Sequence, residues 1–251
     1  MIQFKDLTLG YGSRILIEEL SAQIKGGELT ALVGRNGTGK STLLRAITGI
    51  EQPLKGSILI DGKELSAITT AQLATLVAYV TTDKVRIANL RCRDVVALGR
   101  APYTNWIGRM HEQDEAIVMR SMAQVGMESY ADKTMDKMSD GECQRIMIAR
   151  ALAQQTPIIL LDEPTAFLDM PNRYELCTLL QELAHQQNKC ILFSTHELDI
   201  ATSLCDSIAL ISPPKMHLLP TTEMVQSGLI EQLFTSGRIS FSTTQRNVSI
   251  E

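Results

Sequence analysis

The sequence has no excess of basic charge: 24 Lys and Arg stand against 28 Asp and Glu, a formal net charge of −4. A nucleic-acid binder carries a basic footprint, and nothing in this balance argues for such a partner. No apolar run reaches the ~18 residues of a membrane span, and Met1-Ile2-Gln3-Phe4-Lys5-Asp6 does not read as a signal peptide. Any membrane role is therefore expected to come through partners. The cysteines (Cys92, Cys143, Cys177, Cys190 and Cys205) are odd in number and include no C-x-x-C pair. Reduced, buried thiols in a cytosolic compartment are expected, rather than disulfides or a metal site. Internal repeats, low-complexity tracts and the N/T-K-x-D tetrapeptide of guanine-specific proteins are also absent.

What is present is a 251-residue chain, 44% hydrophobic and 21% charged, which suits one large domain or a domain with an inserted lobe. Its most informative stretch is Gly34-Arg35-Asn36-Gly37-Thr38-Gly39-Lys40-Ser41-Thr42, which fits G-x-x-x-x-G-K-[ST]. An apolar run, Leu29 to Val33, leads in like a buried strand, and Leu43 to Ile47 continues like a helix. Glycines let such a loop point its N–H groups inward, and the helix start adds its dipole. A polyphosphate is the expected ligand. Lys40 should reach its β- and γ-phosphates, and Ser41 should ligate Mg²⁺.

Upstream, Ile2 to Leu9 and Ile15 to Ile24 read as strands around a Gly10-Tyr11-Gly12 turn. Downstream, Ser57 to Ile60 and Asp61-Gly62 suggest a hairpin, Thr70 to Leu76 a helix, and Val77 to Val80 a short buried strand. From about Arg86 to Gln155 the pattern turns helical, with Ile117, Val118, Met122 and Val125 at helical spacing and the methionine as core filler. The loop Gly99 to Trp106 carries the only tryptophan, either a partner surface or a plug in the helical lobe.

Ser139 and Glu142 form an S-x-x-E capping box, and a glycine, Gly141, sits in the first turn of the helix they open. Glycine there costs helix propensity; close approach of an anion is one reading and a bland helix start the other. Pro157 to Leu161 is a continuous apolar run, as in a parallel strand buried on both faces, and it ends in Asp162-Glu163. Beside a phosphate loop, Asp162 is the natural partner of Mg²⁺, while Glu163, pointing the other way, is free to polarise water. Cys190 to Thr195 is a further buried strand ending at His196, and Ser207 to Ile211 looks like a last one. Beyond Pro214 a small appended region is expected.

Together these landmarks resemble the ATP-binding subunit of an ABC transporter. Gly34 to Thr42 matches Walker A. Ser139-Asp140-Gly141-Glu142-Cys143-Gln144-Arg145 resembles the LSGGQ signature, with Asp and Glu replacing Gly and Gln. Ile158 to Thr165 matches Walker B with its glutamate, Phe167-Leu168-Asp169 falls at the D-loop, His196 at the switch histidine and Tyr11 at the adenine-stacking aromatic. The resemblance implies an α/β P-loop NTPase core with a mixed sheet, an antiparallel β subdomain and an inserted helical subdomain. Residues 1–85 and 156–251 would form the core lobe and 86–155 the signature lobe.

It also implies ATP and Mg²⁺ as cofactors and a head-to-tail homodimer, in which Ser139, Gly141 and Glu142 of one copy close on the phosphate held by Lys40 of the other. Glu163 would activate water and His196 hold the γ-phosphate. Integral-membrane permease subunits and, indirectly, a substrate-binding protein would be partners, at the cytoplasmic side of the inner (plasma) membrane. Val95 to Arg100 followed by Pro102-Tyr103-Thr104 is similar to the branch that imports iron–siderophore complexes, haem and cobalamin. A soluble ABC ATPase acting on DNA or ribosomes, or a hydrolysis-impaired regulatory module, is the alternative. One departure stands out: Thr82 occupies the position of the family's metal-contacting glutamine, so water bridges the gap, Asp83 substitutes, or coupling is altered.

Overall fold

The apolar runs of the sequence become strands of two sheets in the computed structural model, which describes residues 1–83, 88–104, 110–233, 239–242 and 247–250. β1 (Ile2–Tyr11) and β2 (Arg14–Ile24) pair as an antiparallel hairpin, followed by β3 (Leu29–Gly34), α1 (Lys40–Ile47), β4 (Lys55–Ile60) and β5 (Lys63–Glu64). α2 (Thr70–Leu76) and β6 (Val77–Val80) precede three helices, α3 (Cys92–Ala97), α4 (Glu112–Gln124) and α5 (Asp140–Ala153). Then come β7 (Ile158–Leu161), α6 (Met170–Gln187), β8 (Cys190–Thr195), α7 (Leu198–Leu204), β9 (Ser207–Ser212), β10 (Lys215–Pro220) and α8 (Thr221–Gln226). A two-stranded pair, β11 (Ile239–Ser242) and β12 (Asn247–Ile250), ends the described chain.

One sheet is antiparallel, in the order β2-β1-β4-β5; the other runs β10-β9-β3-β8-β7-β6. Within the second sheet β9, β3, β8, β7 and β6 are parallel, and β10 joins antiparallel to β9. Every residue of β3, β7 and β8 is buried, as strands covered on both faces must be. Alternate side chains go to opposite faces. Leu32, Leu160, Leu192 and Ile211 pack with α1 and the antiparallel sheet. Val33, Leu161, Phe193 and Leu210 join the other core, which continues without a break into Val95, Met122 and Ile146 of the three helices. Met122 is fully buried there, and all five cysteines are buried thiols outside any disulfide.

The Val95 to Thr104 stretch has a structural reason. Arg100 is buried; its Nε donates to Asp114 Oδ1 at 2.8 Å, and its Nη1 donates to Ala153 O at 2.8 Å and Gln155 Oε1 at 2.9 Å. Tyr103 lies 4.2 Å from the guanidinium carbon. The cation thus ties the end of α3, the start of α4 and the end of α5 together. Gly99 makes room, since a Cβ there would stand 2.2 Å from Arg150 O.

One sequence expectation needs adjustment. Residues beyond Pro214 are not a mere appendage: β10 extends the core sheet, Thr221 Oγ1 donates to Cys205 O at 2.6 Å, and Met224 is fully buried. β10 is an edge strand with only Met216 buried, so its pattern is weak in sequence. Trp106 lies outside the described residues. Arg100→Met is expected to cost about 3–5 kcal/mol, because it leaves the Asp114 carboxylate buried without its cation. Urea unfolding of the variant measures it, and Arg100→Lys should lose less.

Candidate nucleotide site

Four strand ends meet at one edge of the parallel sheet. Val80 pairs with Leu161, Leu161 with Phe193, and Val33 with Thr195, so the loops after β3, β6, β7 and β8 emerge side by side. This is the edge at which open α/β sheets bind ligands. The loop after β3 turns through Gly37 (φ 74°) and Gly39 (φ 108°), left-handed angles that L residues avoid. A Cβ on Gly34 would lie 2.7 Å from Thr38 Oγ1. The loop is therefore glycine-dependent for its own closure, and Gly39 is the N-cap of α1.

Lys40 opens that helix and is buried. Its Nζ donates to Gly34 O at 2.9 Å and Arg35 O at 3.4 Å, and it lies 3.4 Å from His196 Nε2. Desolvation holds its ammonium pKa below the usual lysine value, opposed by the charges of Glu163 and Asp162. Tyr11 stands half exposed at the cleft mouth, its hydroxyl 3.2 Å from Thr42 Oγ1 and donating to Glu51 Oε1 at 3.1 Å. The resulting cleft, about 400 Å³, is lined by Tyr11, Asn36, Lys40, Ser41, Thr42 and Glu163 among others.

Sequence reasoning missed two contributors. Ser194 Oγ donates to Asp162 Oδ1 at 2.6 Å and accepts the Glu163 N–H at 2.8 Å. Because Leu161 pairs with Phe193, Asp162 falls level with Ser194; the two hydroxyls, Ser194 and Thr195, that end an otherwise apolar strand were the available signal. Arg14 donates from Nη2 to Gly37 O at 2.9 Å and also lines the cleft. Glu163 Oε1 lies 2.6 Å from His196 Nε2, and its backbone is left-handed at φ 49°. Thr82 Oγ1 donates to Asp162 O at 3.0 Å, so its hydroxyl is bonded to the strand end. Asp83 is exposed.

The signature residues lie elsewhere. Ser139, Gly141 and Glu142 line a separate cleft of about 570 Å³, together with Arg145, Phe167 and Asp169. The capping box forms in full: Ser139 N–H donates to Glu142 Oε2 at 2.8 Å, and Glu142 N–H to Ser139 Oγ at 3.2 Å. That first bond holds the Glu142 carboxyl below its ordinary pKa. Gly141 has an intramolecular reason that the sequence did not show. A Cβ there would stand 3.1 Å from Leu168 Cδ2 and 3.2 Å from Phe167 O. One chain thus brings Tyr11, residues 34–42, Thr82, Asp162, Glu163 and His196 together, and leaves Ser139 to Glu142 in the other cleft.

Residues 17–166 match the family described as ABC transporter. The chain belongs to the ABC transporter family. It is 40% identical over 243 residues to an uncharacterized ABC transporter ATP-binding protein of Methanocaldococcus jannaschii, covering 96% of this chain and 84% of that one. It is 36% identical to a petrobactin import ATP-binding protein of Bacillus anthracis, covering 93% and 86%. Among solved structures, one described as a metal-chelate type ABC transporter in an inward-facing conformation superposes with a TM-score of 0.82 at 26% identity, over 93% of this chain and 88% of that one. A dimeric bacterial ABC transporter cassette gives 0.78 at 26% identity, over 88% and 99%. This ABC protein is an ATP-binding chain with the α/β fold of an ABC ATPase. Ser194→Ala should leave the Glu163 N–H unpaired, at about 1–3 kcal/mol, and lower ATP hydrolysis. Chemical unfolding and steady-state phosphate release measure the two losses.

Proposed function

We propose that this chain is the ATP-hydrolysing subunit of an importer for iron–siderophore, haem or cobalamin-type cargo, working as a head-to-tail pair of copies. The observation that carries the reading is the separation of the two clefts on one chain. Walker A and Glu163 line one, with His196 against Lys40 and Glu163, and Ser139, Gly141 and Glu142 line the other. Two copies facing in opposite directions complete both, so that the start of α5 on one meets the phosphates at the start of α1 on the other. Two helix N-termini then face the charge that builds in the transition state. The dimeric cassette among the solved structures supports this pairing, and the relatives of import and metal-chelate type support the cargo class.

In this reading Tyr11 stacks on adenine and Lys40 leaves the Gly34 carbonyl for the β- and γ-phosphates. Ser41 and Asp162 offer Mg²⁺ the hard oxygen ligands it prefers, and Thr82, bonded to Asp162 O, sits behind them. The ion's role would be to neutralise phosphate charge. Glu163 receives the proton of the attacking water, and His196, now 2.6 Å from that carboxylate, turns to the γ-phosphate. Residues 86–155 act as the signature lobe. No described helix is long and apolar enough to cross a membrane; in this reading integral-membrane permease subunits, reached from the cytoplasmic side of the inner membrane, carry the cargo. A substrate-binding protein acts through them.

Glu163→Gln keeps the size of the side chain and removes the base. Turnover should fall by about 10²–10⁴, ATP binding should persist, and ATP should trap a dimer visible by light scattering. Unchanged hydrolysis by this variant would sink the assignment.

A further inference from the structure

One guanidinium links the loop beside the second cleft to the loop of His196 inside a single chain. Arg173 of α6 donates from Nε to Leu168 O at 2.7 Å and from Nη1 to Glu197 Oε1 at 2.6 Å. The side chains are partly shielded, 35% and 21% exposed. Burial pushes the Glu197 carboxyl up and the Arg173 charge opposes that shift. Leu168 belongs to the loop that packs on Gly141 at the start of α5. Asp169 in the same loop accepts from Asn172, whose Oδ1 accepts from Arg145 of α5. At the far end Glu197 directly follows His196, whose ring touches Glu163. The contacts run unbroken from the signature helix to the hydrolytic carboxylate.

We propose that Arg173 and Glu197 are positioning residues. Their ion pair fastens loop 167–169 to the loop of His196, so that what engages the signature cleft adjusts the Glu163–His196 contact of the same chain. The proposal rests on the ATPase reading above. The geometry favours arginine: two arms of one rigid planar fork serve a carbonyl and a carboxylate in fixed directions, a preorganisation that the flexible lysine stem lacks. Neither residue touches the cleft that holds Lys40, so nucleotide binding should not depend on them.

Purified full-length chain tests this with Arg173→Met, Arg173→Lys and Glu197→Gln, read by hydrogen exchange, ATP titration and steady-state hydrolysis. In Arg173→Met, amides of segments 167–169 and 196–198 should exchange faster together, by about tenfold or more. Its kcat should drop about tenfold while the ATP Kd stays within about twofold. Arg173→Lys should fall between, and Glu197→Gln, which keeps an acceptor for Nη1, should retain most of the rate. Faster exchange in one segment only, a wild-type kcat in Arg173→Met, or a loss confined to ATP affinity would overturn the proposal. If the methionine variant does not fold, the lysine variant decides by the same readouts. A wild-type chain that binds ATP but never hydrolyses it fails the function reading instead, and the paired exchange still judges the tie.

Discussion

Parallel pairing of β3, β8, β7 and β6 is the constraint on which the site depends. It brings four loops out at one sheet edge, and its register sets Asp162 beside Ser194 and the lysine loop beside His196. A slip of one residue would turn every side chain of a strand to the other face. Both faces of these strands are buried against different cores, so a slip would also misplace the whole apolar set. The hydrophobic effect therefore holds the register, and the register holds the chemistry. No single hydrogen bond in the site could do this, since each is worth only about 1 kcal/mol net.

Within that frame the charged groups compensate one another. Lys40 is desolvated, yet two carbonyls accept hydrogen bonds from its ammonium and two carboxylates lie near enough to oppose the loss of charge. Asp162 is buried with the Ser194 hydroxyl on its oxygen, and Glu163 is bound at its N–H by Ser194 and at its carboxylate by His196. The second cleft is organised differently. Its helix start is closed by its own capping box, and its glycine accommodates the neighbouring Phe167–Leu168 loop. The two clefts differ in chemistry, and in the proposed pairing each would serve an opposite face of one ligand.

Much of this was legible in the residues. The phosphate loop, the buried strands and the capping box all follow from short-range rules of glycine placement, apolar runs and helix starts, and each stands where the sequence puts it. The edge strand β10 was faint because only one of its residues is buried. Ser194 carries only the signature of a hydroxyl near the end of an apolar strand, and Arg14 and Arg173 carry none. Their partners are Asp162, Gly37 and Glu197, and each partnership exists only after strands and helices distant in sequence have packed. Gly141 was legible as a residue that needs explaining, and its neighbour Leu168 was not.

By itself the sequence determined which groups are present and which local shapes they take: a glycine loop entering a helix, carboxylates at the end of a buried strand, a histidine at the end of another. Those shapes arise from backbone sterics and apolar periodicity, which act over a few residues. Tertiary structure alone decided which groups meet. It turned Glu163 onto His196, bonded Thr82 to the Asp162 carbonyl, and kept the signature helix in a cleft of its own. Those outcomes depend on strand order and on the packing of α5 and α6, which arise from burial summed over the whole chain.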